Sequence, residues 1–133
     1  MDGTPIAIGD VVDVSGRFTV FNGQLELAPS VATASSATAT VPAPVIALPA
    51  EVDSTGSRAN ALEGVLIRVE GVTVTSVSAP RFVVGSALTV DNFIYTVSPF
   101  PTVGRTYSSL TGVLVYRFLQ HRLNPRQASD VVP

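Results

Sequence analysis

A degenerate internal repeat constrains this chain more than any other feature. IGDVVDVSGRFTVFNGQLELAPS, from Ile8 to Ser30, returns as VGRTYSSLTGVLVYRFLQHRLNPR, from Val103 to Arg126. Gly9 answers Gly104, and after a one-residue insertion Gly16, Phe18, Val20, Leu27 and Pro29 fall against Gly112, Leu114, Tyr116, Leu123 and Pro125. A supersecondary unit that recurs at both ends of 133 residues points to hairpins sharing one kind of inward face, because two such hairpins can close a single core.

The first copy shows why the unit is a hairpin. From Val11 to Val20 apolar and polar residues alternate, with Val12, Val14, Phe18 and Val20 on one side and Asp13, Ser15, Arg17 and Thr19 on the other. Asn22-Gly23 supplies the two positive-φ residues of a type I′ turn, a register that sets Val20 against Leu25 and Phe18 against Leu27. The segment from Val31 to Ala50 is rich in Ala, Ser, Thr and Pro, and its prolines at 42, 44 and 49 remove ladder donors. It reads as an extended connector with an edge strand around Val45 and Ile46. DSTGSRANAL, from Asp53 to Leu62, is the helix candidate, with Ser57 as N-cap and Gly64 beyond its end.

LEGVLIRVEGVTVTS carries the clearest strand pattern, with Val65, Ile67 and Val69 on one face. The alternation slips at Gly71 and continues on the same face with Val72 and Val74, which predicts a β-bulge that lets a sheet coil. Ala79-Pro80 marks a turn, Arg81 to Val84 and Leu88 to Val90 read as strands, and Phe93 to Val97 reads as another. Tyr107 to Tyr116 against His121 to Leu123 forms the closing hairpin. The expected fold is therefore all-β, a small antiparallel OB-like barrel over residues 62–133. An N-terminal β-hairpin (1–30) and an extended connector with a short helix (31–61) precede it.

GDVVDVSGRFTVFNGQLEL, LEGVLIRVEGVTVTS and LTGVLVYRFLQHRLNPRQASDV together resemble OB-fold domains attached to bacterial secreted nucleases and related surface proteins. The family's motifs fall on Gly9 to Gly16, Leu62 to Gly64 and Pro125 to Val131. The resemblance implies a half OB unit, present as its closing hairpin, followed by a complete one from Leu62. It also implies a binding module of an exported bacterial protein, extracellular or at the cell surface, with nuclease chemistry in a separate domain. The start MDGTP has no basic n-region and no apolar h-region, so an export signal is expected upstream. Phe118-Leu119-Gln120 departs from the family, which carries a glycine in that turn; two bulky residues at a tip imply that something packs on them.

The catalytic inventory is thin. There is no cysteine and one histidine, His121, which faces Tyr116 in the expected pairing and is read as a cross-strand partner. Ten carboxylates fall in no metal-loop pattern, and no glycine-rich phosphate loop is present. No catalytic residue, metal or cofactor is expected. No run of 18 apolar residues exists to cross a membrane as a helix.

All eight cationic residues are arginine, yet the net charge is -2, which does not fit a dedicated nucleic-acid binder. Arg105, Arg117, His121, Arg122 and Arg126 nevertheless give the closing hairpin a local positive bias, interleaved with Phe118, Tyr107 and Tyr116. These residues are the ligand-binding candidates. A protein neighbour is the leading partner, with single-stranded nucleic acid or a glycan as alternatives. The apolar stripe of the first hairpin motivates a further reading, self-association into a structural assembly.

Overall fold

A computed structural model describes residues 6–133, in two compact units that divide after Ala43. The first is a two-stranded antiparallel hairpin, β1 (Asp10–Phe21) and β2 (Gln24–Thr38). Phe18 pairs with Leu27 and Val20 with Leu25 across it, and Asn22 (φ 50°) and Gly23 (φ 84°) make the turn, as the Asn-Gly signal requires. Residues 31–38, expected in the connector, belong instead to β2. Ala34 pairs with Val12 and Ala32 with Val14, so β1's length draws this Ala/Ser/Thr run into the ladder. The hairpin unit accordingly extends past residue 30, and the second unit begins at Pro44 rather than Leu62.

That second unit is built from β3 (Val45–Ile46), α1 (Pro49–Val52), β4 (Leu66–Ser78), β5 (Arg81–Val84), β6 (Leu88–Val90), β7 (Thr106–Arg117), β8 (Gln120–Asn124) and β9 (Val131–Val132). Strand β4 is long enough to serve two neighbours. Leu66 to Thr73 pair with β7, whereas Val74 to Ser78 pair with β5. With β5–β6 antiparallel, β6–β8 parallel and β7–β8 antiparallel, the ring β4-β5-β6-β8-β7-β4 closes into the OB-like barrel. Its interior holds Ile67, Val69, Val72, Val74, Phe82, Val84, Leu88, Val90, Leu110, Leu114 and Leu123, all buried. β3 lies parallel to β4 at Val45 and Ile46, where an edge strand was expected.

Three local expectations need correction. Gly71 does mark the slip of alternation, since Val69 and Val72 are both buried, but it inserts no extra residue against β7: Glu70 pairs with Ser109 and Val72 with Tyr107. The glycine instead bends the strand through a φ of 58°, and the register shift lies at Val74/Ser76, opposite β5. The helix sits earlier than DSTGSRANAL. Pro49 opens α1 with its preset φ, the Glu51 carboxylate accepts the Leu48 N–H at 2.8 Å, and Asp53 ends it by accepting from the Thr55 N–H and hydroxyl. Ser57 caps nothing; only a 3-10 turn at Asn60–Leu62 forms downstream. Phe93 to Val97 is a loop, because β6 already has β5 and β8 on its two edges and the chain must leave the sheet to reach β7.

Candidate functional site

The closing hairpin repeats the geometry of the first one. Leu114 pairs with Leu123 as Phe18 does with Leu27, and Tyr116 pairs with His121 as Val20 does with Leu25. Arg117 and Gln120 then flank a two-residue turn, just as Phe21 and Gln24 do. The residues filling the two turns differ. Phe118 and Leu119 adopt φ of 50° and 61°, the left-handed region that suits glycine and asparagine and that bulky side chains avoid. Both project outward, 51% and 76% exposed.

Beneath this tip the structure assembles a stack of alternating cations and rings. The Arg117 guanidinium carbon lies 4.1 Å from the Phe93 ring centroid and 5.0 Å from that of Phe118, and the Arg122 guanidinium carbon lies 5.5 Å from Phe118. Arg122 is buried and fixed from below. Its Nη1 donates to Asp91 Oδ2 at 2.7 Å, while Asp91 Oδ1 accepts the Asn92 N–H at 2.8 Å. This pair lets β6 and β8, parallel neighbours at Thr89–Arg122, carry a buried charge without leaving it unpaired.

His121 plays the structural part expected of it. Its ring packs against Tyr116 at 4.8 Å between centroids, and its backbone N–H donates to Ser54 Oγ at 3.0 Å. Burial holds its pKa below the ordinary 6.5, although the Glu63 carboxylate, 4.0 Å from Nε2, pulls the other way. The imidazole is therefore neutral near pH 7 and does not add to the positive bias.

The remaining sequence-selected residues do not join the tip. Arg126 forms a two-point pair with Asp130, Nε to Oδ2 and Nη2 to Oδ1, each 2.9 Å. Desolvation would raise the Asp130 carboxyl, but the side-chain and backbone hydrogen bonds from Arg126 outweigh it and hold the group below 3.8. Arg105 stands just before β7, at the end of that strand away from the turn, 5.6 Å from the Tyr107 ring. There it lines a cleft of about 310 Å³ with Phe100, Pro101 and Val131. Burial raises the Tyr107 phenol above 10.0 against the lowering effect of Arg105. The six candidates thus resolve into separate places, with Arg117, Phe118 and Arg122 at the tip.

Two residues of the tip escaped the sequence reading. Phe93 falls in a stretch whose alternation predicts a strand, and Asp91 is one carboxylate among ten; the Asp91-Asn92 pair directly after β6, a turn dipeptide, is the available signal. A shallow groove of about 240 Å³ lies beside the turn, lined by Ser76, Arg81, Phe82, Thr89 and Gln120. Among the described residues no group of three or more His, Cys, Asp or Glu side chains is placed to hold a metal ion, and no helix is long and apolar enough to cross a membrane. No protein-family model matches this chain, and no curated protein or solved structure matches it significantly.

Proposed function

We propose that this chain is a non-catalytic interaction module of an exported bacterial protein, and that its barrel grips a protein neighbour with the β7–β8 tip. The observation that carries this reading is the turn itself. Two bulky apolar residues occupy left-handed backbone at a cost of about 1 kcal/mol or more each, where the same hairpin geometry elsewhere in the chain uses Asn-Gly. Such strain is retained where the exposed side chains have a task. Phe118, Leu119, Phe93 and two arginines also form the aromatic and guanidinium mixture that dominates the energetics of protein contacts. The motif resemblance supports the exported setting.

A polymer-binding reading has one observation in its favour, the exposed Phe93 and Phe118 rings, which offer planes for bases or sugars. Charge argues against nucleic acid. Arg122 and Arg126 are neutralised by Asp91 and Asp130, leaving Arg117 as the one tip arginine without a carboxylate partner among the described residues. Titration of the full chain with single-stranded oligonucleotides separates the two. Negligible binding near physiological salt is expected; tight binding that weakens steeply with salt, and that Arg117→Ala reduces, would replace the protein reading. A photo-reactive residue at position 119, in the native host, should give a discrete protein adduct that the same residue at exposed Val103 does not.

A further inference from the structure

The loop between β6 and β7 builds a cleft at the end of β7 away from its turn. Pro99 and Pro101 deny this loop two backbone donors and keep it out of the sheet, while Phe100 ties it to the core. The Phe100 ring meets Phe82 edge-on at 6.1 Å between centroids, and Phe82, itself buried, lies 6.2 Å from the Tyr107 ring. Two walls of the cleft are thereby fixed through one core residue. The space that they enclose with Tyr95, Val97 and Val131 amounts to about 310 Å³, at the lower end of the range for small-molecule sites.

One charge faces this space. Arg105 is the charged residue that lines it, and among the described residues no carboxylate stands within ion-pair distance of that guanidinium. Asp130, whose neighbour Val131 lines the cleft, is already held at two points by Arg126. The Tyr107 ring, 5.6 Å from the Arg105 guanidinium carbon, braces it. Its phenol, pushed above 10.0 by burial, keeps its proton at neutral pH and adds a donor to the same wall. A planar guanidinium matches a carboxylate at two points, whereas a phosphate dianion calls for further cations or a helix N-terminus, and the cleft lining supplies neither. We propose that this cleft binds a small monocarboxylic acid with an aromatic or branched apolar body, the carboxylate on Arg105 and the body between Phe100, Tyr107 and Val131. The acid is a free molecule and not a peptide C-terminus, because β9 at the rim is two residues long and gives a peptide backbone no edge to run along. The site is separate from the β7–β8 tip and does not depend on what the tip grips.

The chain has no tryptophan and three tyrosines, two of which, Tyr95 and Tyr107, line the cleft, so tyrosine emission reports on it. Titration of the full chain with hydrocinnamate should give a saturable change with a Kd below about 1 mM. Hydrocinnamamide, its neutral isostere, should bind about tenfold more weakly or worse. Arg105→Gln should weaken hydrocinnamate by about tenfold or more and leave the amide unchanged, while Arg117→Gln should change neither. Ala128→Phe fills the cleft, spares Arg105 and should abolish binding of both. Because Arg105 and Ala128 are exposed, a circular-dichroism spectrum matching that of the parent chain will confirm that each variant keeps its fold. Equal affinity for acid and amide, binding that survives Arg105→Gln, or no saturation up to about 10 mM overturns the inference. So does a peptide ending in phenylalanine that binds through its free C-terminus more tightly than hydrocinnamate, which would make the cleft a peptide site.

Discussion

Replacing the closing turn by the opening one should stabilise the barrel. The double substitution Phe118→Asn with Leu119→Gly gives β7–β8 the Asn-Gly pair that β1–β2 uses at the same two positions, where φ is 50° and 84°. Relief of left-handed strain at two bulky residues is worth about 1–2 kcal/mol each. Against this stand the contacts that Phe118 makes with the Arg117 and Arg122 guanidinium groups at 5.0 and 5.5 Å. Partly exposed contacts of this type contribute about 0.5–1 kcal/mol. Glycine adds unfolded-state entropy that costs a further ~0.5–1 kcal/mol. The difference leaves a net gain of about 1–2 kcal/mol, which raises the midpoint of a domain of this size by about 5 °C or more. Thermal and urea unfolding, followed by circular dichroism, would read it, with the transition of the 44–133 unit scored apart from that of the hairpin. An unchanged or lowered midpoint would refute the reasoning, because it would mean that Phe118 and Leu119 stabilise the folded chain by as much as their backbone strains it. If the gain appears together with loss of the adduct formed from position 119, stability and binding are opposed at this turn, as the proposed function requires.

Gly23→Val places a β-branched residue at φ 84° and should destabilise the β1–β2 hairpin by about 1 kcal/mol or more, visible as faster amide exchange in that ladder. Asp91→Ala leaves the buried Arg122 guanidinium without its 2.7 Å partner and should cost the barrel about 3–5 kcal/mol, measured by urea unfolding, whereas Arg17→Ala on the exposed hairpin should cost almost nothing. Burial keeps the folded-state pKa of His121 below 6.5, so the unfolded chain binds the proton first; stability should fall as pH drops below about 6.5, level off below the depressed value, and lose this slope in His121→Gln. Asp130 acts in a lower window: its carboxyl is held below 3.8, so its contribution is intact above that pH and is lost as pH falls through the folded value, an acid limb that Asp130→Asn should remove.

The strands legible in the sequence were those with a strong contrast between their faces. β1 and β4 alternate clearly, and the Asn22-Gly23 and Ala79-Pro80 turns bound them. The far half of β2 was not legible because Ala, Ser and Thr fit either face of a strand; its pairing comes from β1 across the ladder. Phe93 to Val97 erred the opposite way, having strand-like alternation directly after β6, whose two edges are already taken by β5 and β8. The site was legible in part for a related reason. Phe118 stood out as a bulky residue where a turn prefers glycine, but the Asp91–Arg122 pair spans 31 residues and exists only because β6 and β8 run parallel at that point. Composition gave the cations without their partners, and so overstated the positive character of a hairpin in which two of the arginines are neutralised.

The repeat makes the closing turn informative beyond its own strain. Both hairpins set an apolar pair four residues from the nearer turn residue on each strand, Phe18 with Leu27 and Leu114 with Leu123, and both do so with a two-residue connection. A right-handed strand twist makes that connection left-handed at both central residues, whichever side chains occupy it. The backbone demand is therefore the same at residues 22–23 and 118–119, and only the answer differs. Asn and Gly meet the demand at little cost, so the chain contains its own control for what the fold alone asks. Phe and Leu meet it at a cost that the guanidinium contacts of Phe118 offset only in part and that Leu119, 76% exposed, does not recover by burial. A requirement lying outside the fold, such as a partner that covers them, accounts for a choice that the fold does not.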